Sequence, residues 1–341
     1  MRIAPAAIIA TVAGLLSLPP ADSFFTLTQL KPGLFIALAT PSHMENSNAT
    51  VIFLDDALLV IDAEQRPTAA AALIREIRKL TRFPVKYLVN THFHDDHVQG
   101  NSLYRDAWPD VQIISSVETR ESLRDRGALQ LKNLLATLPS VIDSLRRRAA
   151  APSDAGGRSA LQDSLRRAED YLAELRRVTL VLPTTTFERR MVIHSTHRSV
   201  ELINVGHAHT DGDVVAFLPE DSVLVTGDVV DALDPWMGDS HPFSWIKVLD
   251  AIEKLDASHI VGGHGAVMHD QHAIRLWRDY FKDLVAQTGR AFAAGASLEQ
   301  ARRLVAPRLV GAYGNRFPKS FSDDVLGHVE KAYRVISGVT E

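Results

Sequence analysis

The segment that most constrains the possible folds of this chain is an apolar run followed by a dense group of side chains of metal-ligand type. Val85–Val89 is rich in β-branched and aromatic residues and gives way to polar residues, which predicts a buried strand. Imidazole nitrogens and carboxylate oxygens suit zinc, and a loop after a strand can turn alternate side chains toward one point. The pattern therefore predicts that two histidines share one ion while an aspartate and a third histidine face a second ion. These residues are His92 and His94, then Asp96 and His97.

The His-x-His-x-Asp-His pattern resembles the signature of the metallo-β-lactamase-fold hydrolases, and three later motifs are similar to motifs of that family. The resemblance spans Asn48 to about Gly265 and implies an α/β fold, an αββα sandwich. It also implies seven ligands for two zinc ions per chain. The first ion would be held by His92, His94 and His209, the second by Asp96, His97 and His264, and both by a bridging Asp228.

His207 competes with His209 for the ligand role, because the two lie in the same turn. The Thr-Asp-Gly-Asp segment after His209 is similar to the family motif, so the resemblance favours His209 and leaves His207 as a loop or supporting residue. The resemblance also gives Asp62, at the end of an earlier strand, the role of supporting the metal loop through hydrogen bonds. Asp96 is expected to be catalytic as well, by orienting the attacking hydroxide or accepting its proton.

Composition narrows the class of protein. A chain of 341 residues with 46% hydrophobic and 23% charged residues can bury a large core as one α/β domain with insertions. The net charge of -4 gives no broad basic surface, which disfavours a nucleic-acid partner. The sequence contains no cysteine, which excludes disulfides, a lipidated cysteine anchor and a thiolate zinc ligand. Asp228 fits the ligand position that a cysteine would otherwise occupy.

Residues 1–23 have the pattern of a signal peptide. Arg2 precedes a mostly apolar segment from Ile3 to Leu18, which is shorter than the roughly 20 residues that span a bilayer. Small residues at Ala21 and Ser23 permit cleavage. The alternative is a buried N-terminal helix. We expect a periplasmic or secreted protein without a stable membrane anchor, in which residues 24–341 form the metallo-β-lactamase-fold domain.

Residues 118–178 interrupt the pattern of short strands. Two amphipathic, leucine-rich segments flank a breaker at 152–157, which predicts an inserted helical hairpin. The hairpin accounts for the separation of His97 and His209, which is 112 positions (209 minus 97). It is expected either to cover the metal cleft as a lid or to pack on itself or in a homodimer contact. Residues 266–341 are expected to form a C-terminal helical cap.

The predicted function is that of an exported dizinc hydrolase. A metal-bridging hydroxide would attack an amide or ester-type carbonyl of a small-molecule substrate, and β-lactams are candidate substrates. A thioesterase or lactonase of the same superfamily is the alternative. From another class, a diiron redox protein would use the same fold. The resembled diiron branch carries a carboxylate at the position of His94 and is followed by a flavin-binding domain, and this sequence has neither, which favours hydrolysis.

Overall fold

The structure is a computed structural model that describes residues 23–40, 46–150, 155–318 and 320–338. The predicted signal peptide, residues 1–23, lies outside the described residues except for Ser23, and it stays a prediction. Among the helices that the structure describes, none is both long enough and apolar enough to cross a bilayer.

The first sheet contains seven strands arranged in chain order. They are β1 (Phe25–Lys31), β2 (Leu34–Ala39), β3 (Ala49–Phe53), β4 (Leu58–Ile61), β5 (Val85–Val89), β6 (Gln112–Ser116) and β7 (Thr185–Phe187). Strands β1 to β4 are antiparallel, whereas β5, β6 and β7 are added in parallel. Parallel neighbours place their carboxyl ends at the same edge of the sheet, so the residues that follow these strands meet there.

The second sheet contains five strands in the order β12-β11-β10-β9-β8. They are β8 (Arg190–His194), β9 (Ser199–Gly206), β10 (Asp213–Leu218), β11 (Val223–Gly227) and β12 (His259–Gly262). Only the β11–β12 pair is parallel. The sequence over 186–193 favours one continuous strand, but the chain instead leaves the first sheet after Phe187 and joins the second at Arg190. The backbone carbonyls of Glu188 and Arg189 accept hydrogen bonds from Asn204 at this crossing.

Eleven helical segments complete the described residues. They are α1 (Pro67–Leu80), α2 (Asp95–Val98), α3 (Asn101–Ala107), α4 (Val117–Ser122), a π-helical turn (Leu123–Gly127), α5 (Ala128–Ala150), α6 (Ala155–Leu175), α7 (Pro242–Glu253), α8 (His272–Ala293), α9 (Leu298–Tyr313) and α10 (Phe321–Ile336). Pro67 followed by apolar residues at helical spacing predicts a helix over 67–80, and α1 has these bounds with its apolar stripe buried.

Successive side chains of a strand point to opposite faces of its sheet, which accounts for the layered arrangement of helices and sheets. In β4, Leu58 and Val60 pack toward α1, whereas Leu59 and Ile61 pack toward the second sheet. The β11 strand divides its apolar residues in the same way between the first sheet and the C-terminal helices. Each fully buried branched side chain contributes about 1.5–3 kcal/mol. The result is four layers, helix, sheet, sheet and helix, which confirms the predicted fold class.

Two groups of helices lie outside the sandwich. Helices α7 to α10 cover the outer face of the second sheet around Trp245, Trp277 and Phe281, and α8 to α10 confirm the C-terminal helical cap predicted after residue 265. Helices α5 and α6 pack on each other, and Leu129 and Val141 of α5 are exposed. Ion pairing between Arg146 and Glu169 joins the two helices. The predicted hairpin is thus present as a pair of helices that extends from the sandwich.

Candidate metal centre

The predicted ligands lie where strands of both sheets end at one edge of the sandwich. The segment after β5 carries the first four residues, and the remaining three follow β9, β11 and β12. Backbone hydrogen bonds tie these ends together. Val214 N donates to Thr91 O over 2.8 Å, and Gly263 N donates to Gly227 O over 2.8 Å. The segments are therefore positioned by the sheets themselves.

The first group consists of three histidines and one aspartate. Ligand atoms of His92, His94, His209 and Asp228 all lie within 4.8 Å of one another. His94 Nδ1 is 3.0 Å from both His92 Nε2 and His209 Nε2. Asp228 Oδ2 lies 3.8 Å from His92 Nε2 and 3.4 Å from His209 Nε2. Three ring nitrogens and one carboxylate oxygen thus converge on one point.

The second group adjoins the first and shares one residue with it. Ligand atoms of Asp96, His97, Asp228 and His264 also lie within 4.8 Å of one another. Asp96 Oδ2 is 3.2 Å from His97 Nε2 and 3.0 Å from His264 Nε2. Asp228 Oδ1 lies 3.4 Å from His97 Nε2. Because Asp228 faces both groups, the structure brings all seven residues named from the sequence into one two-part cluster.

The chemistry of this cluster fits metal ions. A neutral imidazole carries one proton, so the three nitrogens of the first group cannot all be satisfied by one another. In the second group, His97 Nε2 and Asp228 Oδ1 are buried and form no hydrogen bond within the described chain. A buried polar atom without a partner costs free energy. A divalent cation in each group would supply the missing partner, and the nitrogen and oxygen donors suit a borderline ion such as zinc.

Two glycines make the close approach of these segments feasible. A Cβ on Gly263 would lie 2.0 Å from Asp228 Oδ1 and 2.9 Å from His97 Cε1. Gly227 has a φ of +50°, and a Cβ there would lie 2.6 Å from Thr91 Oγ1. Larger residues at either position would displace the side chains that form the two groups.

Each group is supported from behind by a further carboxylate. Asp62 Oδ2 lies 2.8 Å from His97 Nδ1, and Asp62 Oδ1 accepts from Thr91 N over 2.9 Å. This is the contact expected of Asp62. Asp239 Oδ2 lies 2.8 Å from His94 Nε2, on the side of the ring away from the first group. A carboxylate in this position fixes the orientation of the ring and increases the basicity of its other nitrogen.

Three neighbours of the first group were not identified from the sequence. One is Asp239, and another is Trp236, whose ring centroid is 5.0 Å from that of His94. The third is Arg126 in the π-helical turn, which pairs with Asp239 and lies 3.0 Å from an oxygen of Asp211. The sequence over 234–239 predicts a loop near the cleft without giving a role to its residues, and no sequence pattern points to Arg126. Turns of π-helix are rare and occur frequently at functional sites.

The first residues of the predicted insertion contact a turn of the candidate metal centre. Thr119 Oγ1 donates to Gly212 O over 2.8 Å, within the turn that carries His209. At the other end of the insertion, Glu174 pairs with Arg66 and accepts from Thr68 N over 3.0 Å, at the start of α1. The first end of the predicted insertion therefore contacts the turn of His209, and its other end contacts the start of α1.

Burial and neighbouring charges shift the pKa values of the residues in the cluster in different directions. Burial alone would raise the pKa of Asp96, but His97 and His264 hold that pKa well below its usual value, so Asp96 is ionised. Burial lowers the pKa of His209 to about 3, which keeps this ring neutral. Burial alone would lower the pKa of His264, but Asp228 and Asp96 outweigh it and raise the pKa to about 9. A metal ion must therefore displace a proton from His264.

The structure separates His207 from His209. The His209 side chain is 2% exposed and lies within the first group, whereas the His207 side chain is 58% exposed and lies outside both groups. This placement agrees with the choice of His209 over His207.

The family model of the metallo-β-lactamase superfamily matches residues 44–264. The chain belongs to this superfamily of metal-dependent hydrolases. Two solved structures are similar to it in fold. A metallo-β-lactamase from Pontibacter korlensis has a TM-score of 0.55 and 17% identity, over 76% of this chain and 99% of that chain. The DIM-1 metallo-β-lactamase has a TM-score of 0.54 and 16% identity, over 76% of this chain and 97% of that chain.

A curated relative is similar in sequence over part of its length. It is the linear primary-alkylsulfatase of Pseudomonas sp. (strain ATCC 19151), which is 25% identical over 256 residues. The match covers 69% of this chain but 45% of the relative, so the chain spans less than half the length of that protein.

Proposed function

We propose that this protein is a dizinc hydrolase that cleaves an ester-type or amide bond at the carbonyl of a small molecule, after export to the periplasm or out of the cell. The observation that carries the proposal is that Asp228 belongs to both metal-ligand groups. Seven ligand residues exceed what one four-coordinate ion uses, and a shared carboxylate suits a pair of ions. His92, His94 and His209 would hold one ion, Asp96, His97 and His264 the other, and Asp228 both.

Zinc bound here would supply a Lewis acid and a water that ionises near neutral pH. The protein supplies the positioning and the proton acceptor. Asp96 is ionised and faces both His97 and His264, so its carboxylate is placed to orient the attacking water and accept its proton. Asp239 and Asp62 hold His94 and His97 in the orientation that this arrangement needs.

A cavity lined in part by Trp236 offers room for the rest of the substrate. Its volume is about 440 Å³, and it lies between residues 233–238 and helix α10. This volume falls within the range of about 300–1,000 Å³ that small-molecule sites occupy. Trp236 lines the cavity and also packs against the ring of His94. We therefore place the non-reacting part of the substrate in this cavity, with its labile bond near His94.

A sulfate ester is the second candidate substrate, and the alkylsulfatase relative is the observation that favours it. An anionic sulfate gains most from cationic side chains near the metals. Arg126 reaches the metal centre through Asp239, but the guanidinium is held between Asp239 and Asp211, so its charge is already balanced. For this reason we rank a carbonyl substrate, such as a lactam, lactone or thioester, above a sulfate ester.

Metal analysis and a substrate panel test the proposal. Elemental analysis of the protein equilibrated at a low buffered concentration of free zinc should find about two zinc ions per chain. A chromogenic β-lactam, a lactone, a thioester and an alkyl sulfate should then be compared in the wild type and in Asp228→Asn. Asp143→Asn, at an exposed site on α5, is the matched control.

Each outcome separates the alternatives. Hydrolysis of a carbonyl substrate that Asp228→Asn loses and Asp143→Asn keeps would support the proposal. Hydrolysis of the alkyl sulfate alone would select the second candidate. Iron as the metal bound in preference to zinc, or one ion per chain, would contradict the dizinc assignment. Fractionation of cells that express the full chain would test the proposed export.

A further inference from the structure

A third cluster of metal-ligand side chains lies outside the two groups of the proposed catalytic centre. Ligand atoms of His207, Asp211 and His241 lie within 4.8 Å of one another. His241 Nε2 is 2.7 Å from Asp211 Oδ1, and His207 Nδ1 is 3.7 Å from the same oxygen. The cluster shares no residue with either of the other groups. We propose that these residues form a third metal site, which binds a divalent transition ion such as zinc.

The three donors are held together by the backbone. His207 and Asp211 come from the turn after β9, and His241 immediately precedes α7. The backbone N–H of His241 donates to Ala208 O over 2.8 Å, which fastens the second segment to the first. The two imidazole rings meet edge to face at 4.7 Å between centroids. An ion would therefore find its ligands largely in place, and pre-organisation reduces the cost of binding.

The type of donor indicates the type of ion. Two imidazoles with one carboxylate suit zinc, nickel, cobalt or copper, whereas calcium and magnesium prefer oxygen ligands. The side chains of His207, Asp211 and His241 are 58%, 33% and 37% exposed. Water can therefore fill the remaining coordination positions, and the ion can exchange with solvent. These features distinguish the third site from the two buried groups.

The charges around the cluster favour a cation of moderate affinity. Asp211 Oδ2 accepts from Arg126 Nη1 over 3.0 Å, which leaves Asp211 Oδ1 facing the two histidines. Arg126 also pairs with Asp239, so two carboxylates and one guanidinium keep a net negative charge. The charge of Lys331 acts on His241 and opposes a cation. We therefore expect this site to fill only at free zinc concentrations above those that saturate the two buried groups.

Equilibrium dialysis of the untagged full chain tests the proposal. Bound zinc is measured by elemental analysis at a low and a high buffered concentration of free zinc. The wild type should hold about two ions at low zinc and about three at high zinc. His207→Ala and His241→Ala should lose the third ion and keep the other two. His197→Ala is the matched control, because His197 is exposed and precedes β9, at the opposite end of that strand from His207.

A second measurement does not depend on counting ions. Modification of histidines by diethyl pyrocarbonate, read by mass spectrometry, should slow at His207 and His241 when zinc is raised from the low to the high concentration. Modification of His197 should not change. The proposal is wrong if the wild type binds no third ion, if His207→Ala keeps it, or if high zinc leaves both histidines as reactive as before. The test measures only the ion that binds between low and high zinc at His207, Asp211 and His241. Its result is therefore independent of whether the dizinc hydrolase proposal is correct.

Discussion

Replacing Asp239 should weaken the first metal ion and leave the second ion unaffected. Asp239 Oδ2 is 2.8 Å from His94 Nε2, and the two side chains are only 17% and 9% exposed, so water does not readily replace this contact. Loss of such an outer carboxylate typically costs about 10–100-fold in metal affinity, or about 1.4–2.7 kcal/mol. The Asp239→Asn variant keeps a neutral hydrogen-bond acceptor, so its loss of metal affinity should be about 10-fold. The Asp239→Ala variant keeps no acceptor, so its loss of metal affinity should be about 100-fold.

Competition with a chromophoric chelator measures each zinc affinity, and two background variants identify the ion concerned. In a His264→Ala background, which weakens the second ion, Asp239→Ala should lower the remaining affinity by about the same 10–100-fold. In a His209→Ala background it should have little further effect. Asp143→Asn, 58% exposed on α5, should change neither affinity. Equal weakening of both ions, or none in the His264→Ala background, would refute the assignment of Asp239 to His94.

Three further predictions concern the same centre. After dialysis against zinc-free buffer, His209→Ala should lose the first ion while His207→Ala keeps both; the reverse result would show that His207 is the ligand. In the metal-free protein, the folded pKa of His264 is about 9 against 6.5 for an ordinary histidine. Its stabilising contribution is therefore complete below pH 6.5 and is lost as the pH rises through 9, which urea unfolding should detect and His264→Gln should abolish. Replacing residues 133–168 by a short Gly/Ser linker should keep both ions, because Arg126 and Glu174 remain. It should change KM for bulky substrates if the helices form a lid, and oligomeric state alone if they form a dimer contact; loss of zinc would contradict the prediction.

The sequence located the residues of the two candidate metal groups because each follows a strand within a short motif. His92 to His97 come directly after β5, Asp228 follows β11, and His264 follows β12. The direction of a parallel strand is enough to place such residues at one edge of a sheet. The later ligands also needed the resemblance to a known family, since a single histidine or aspartate after a strand has many other roles.

Arg126 and Asp239 could not be found in this way. They are 113 positions apart, and neither lies in a motif. Arg126 lies in the π-helical turn at Leu123–Gly127, and because such a turn departs from regular helical spacing, the sequence pattern does not predict the direction of this side chain. The surrounding sequence is rich in arginine, so a charged residue there predicts only an exposed helix face. The break between β7 and β8 was missed for a similar reason, because alternation alone does not say to which sheet a strand belongs.

Arg126 contacts the candidate metal centre, so the part of the insertion that extends outward begins after this residue. A hairpin from 118 to 178 that merely extended from the sandwich would make no contact with the metal centre. Instead Thr119 holds the turn of His209 through Gly212, and Arg126 holds Asp239, which in turn holds His94. These residues precede α5, and Ala128 is the first residue of the pair of helices that extends outward. Residues 117–127 therefore belong structurally with the candidate metal centre rather than with the pair of helices, because Arg126 and Asp239 connect them to His94.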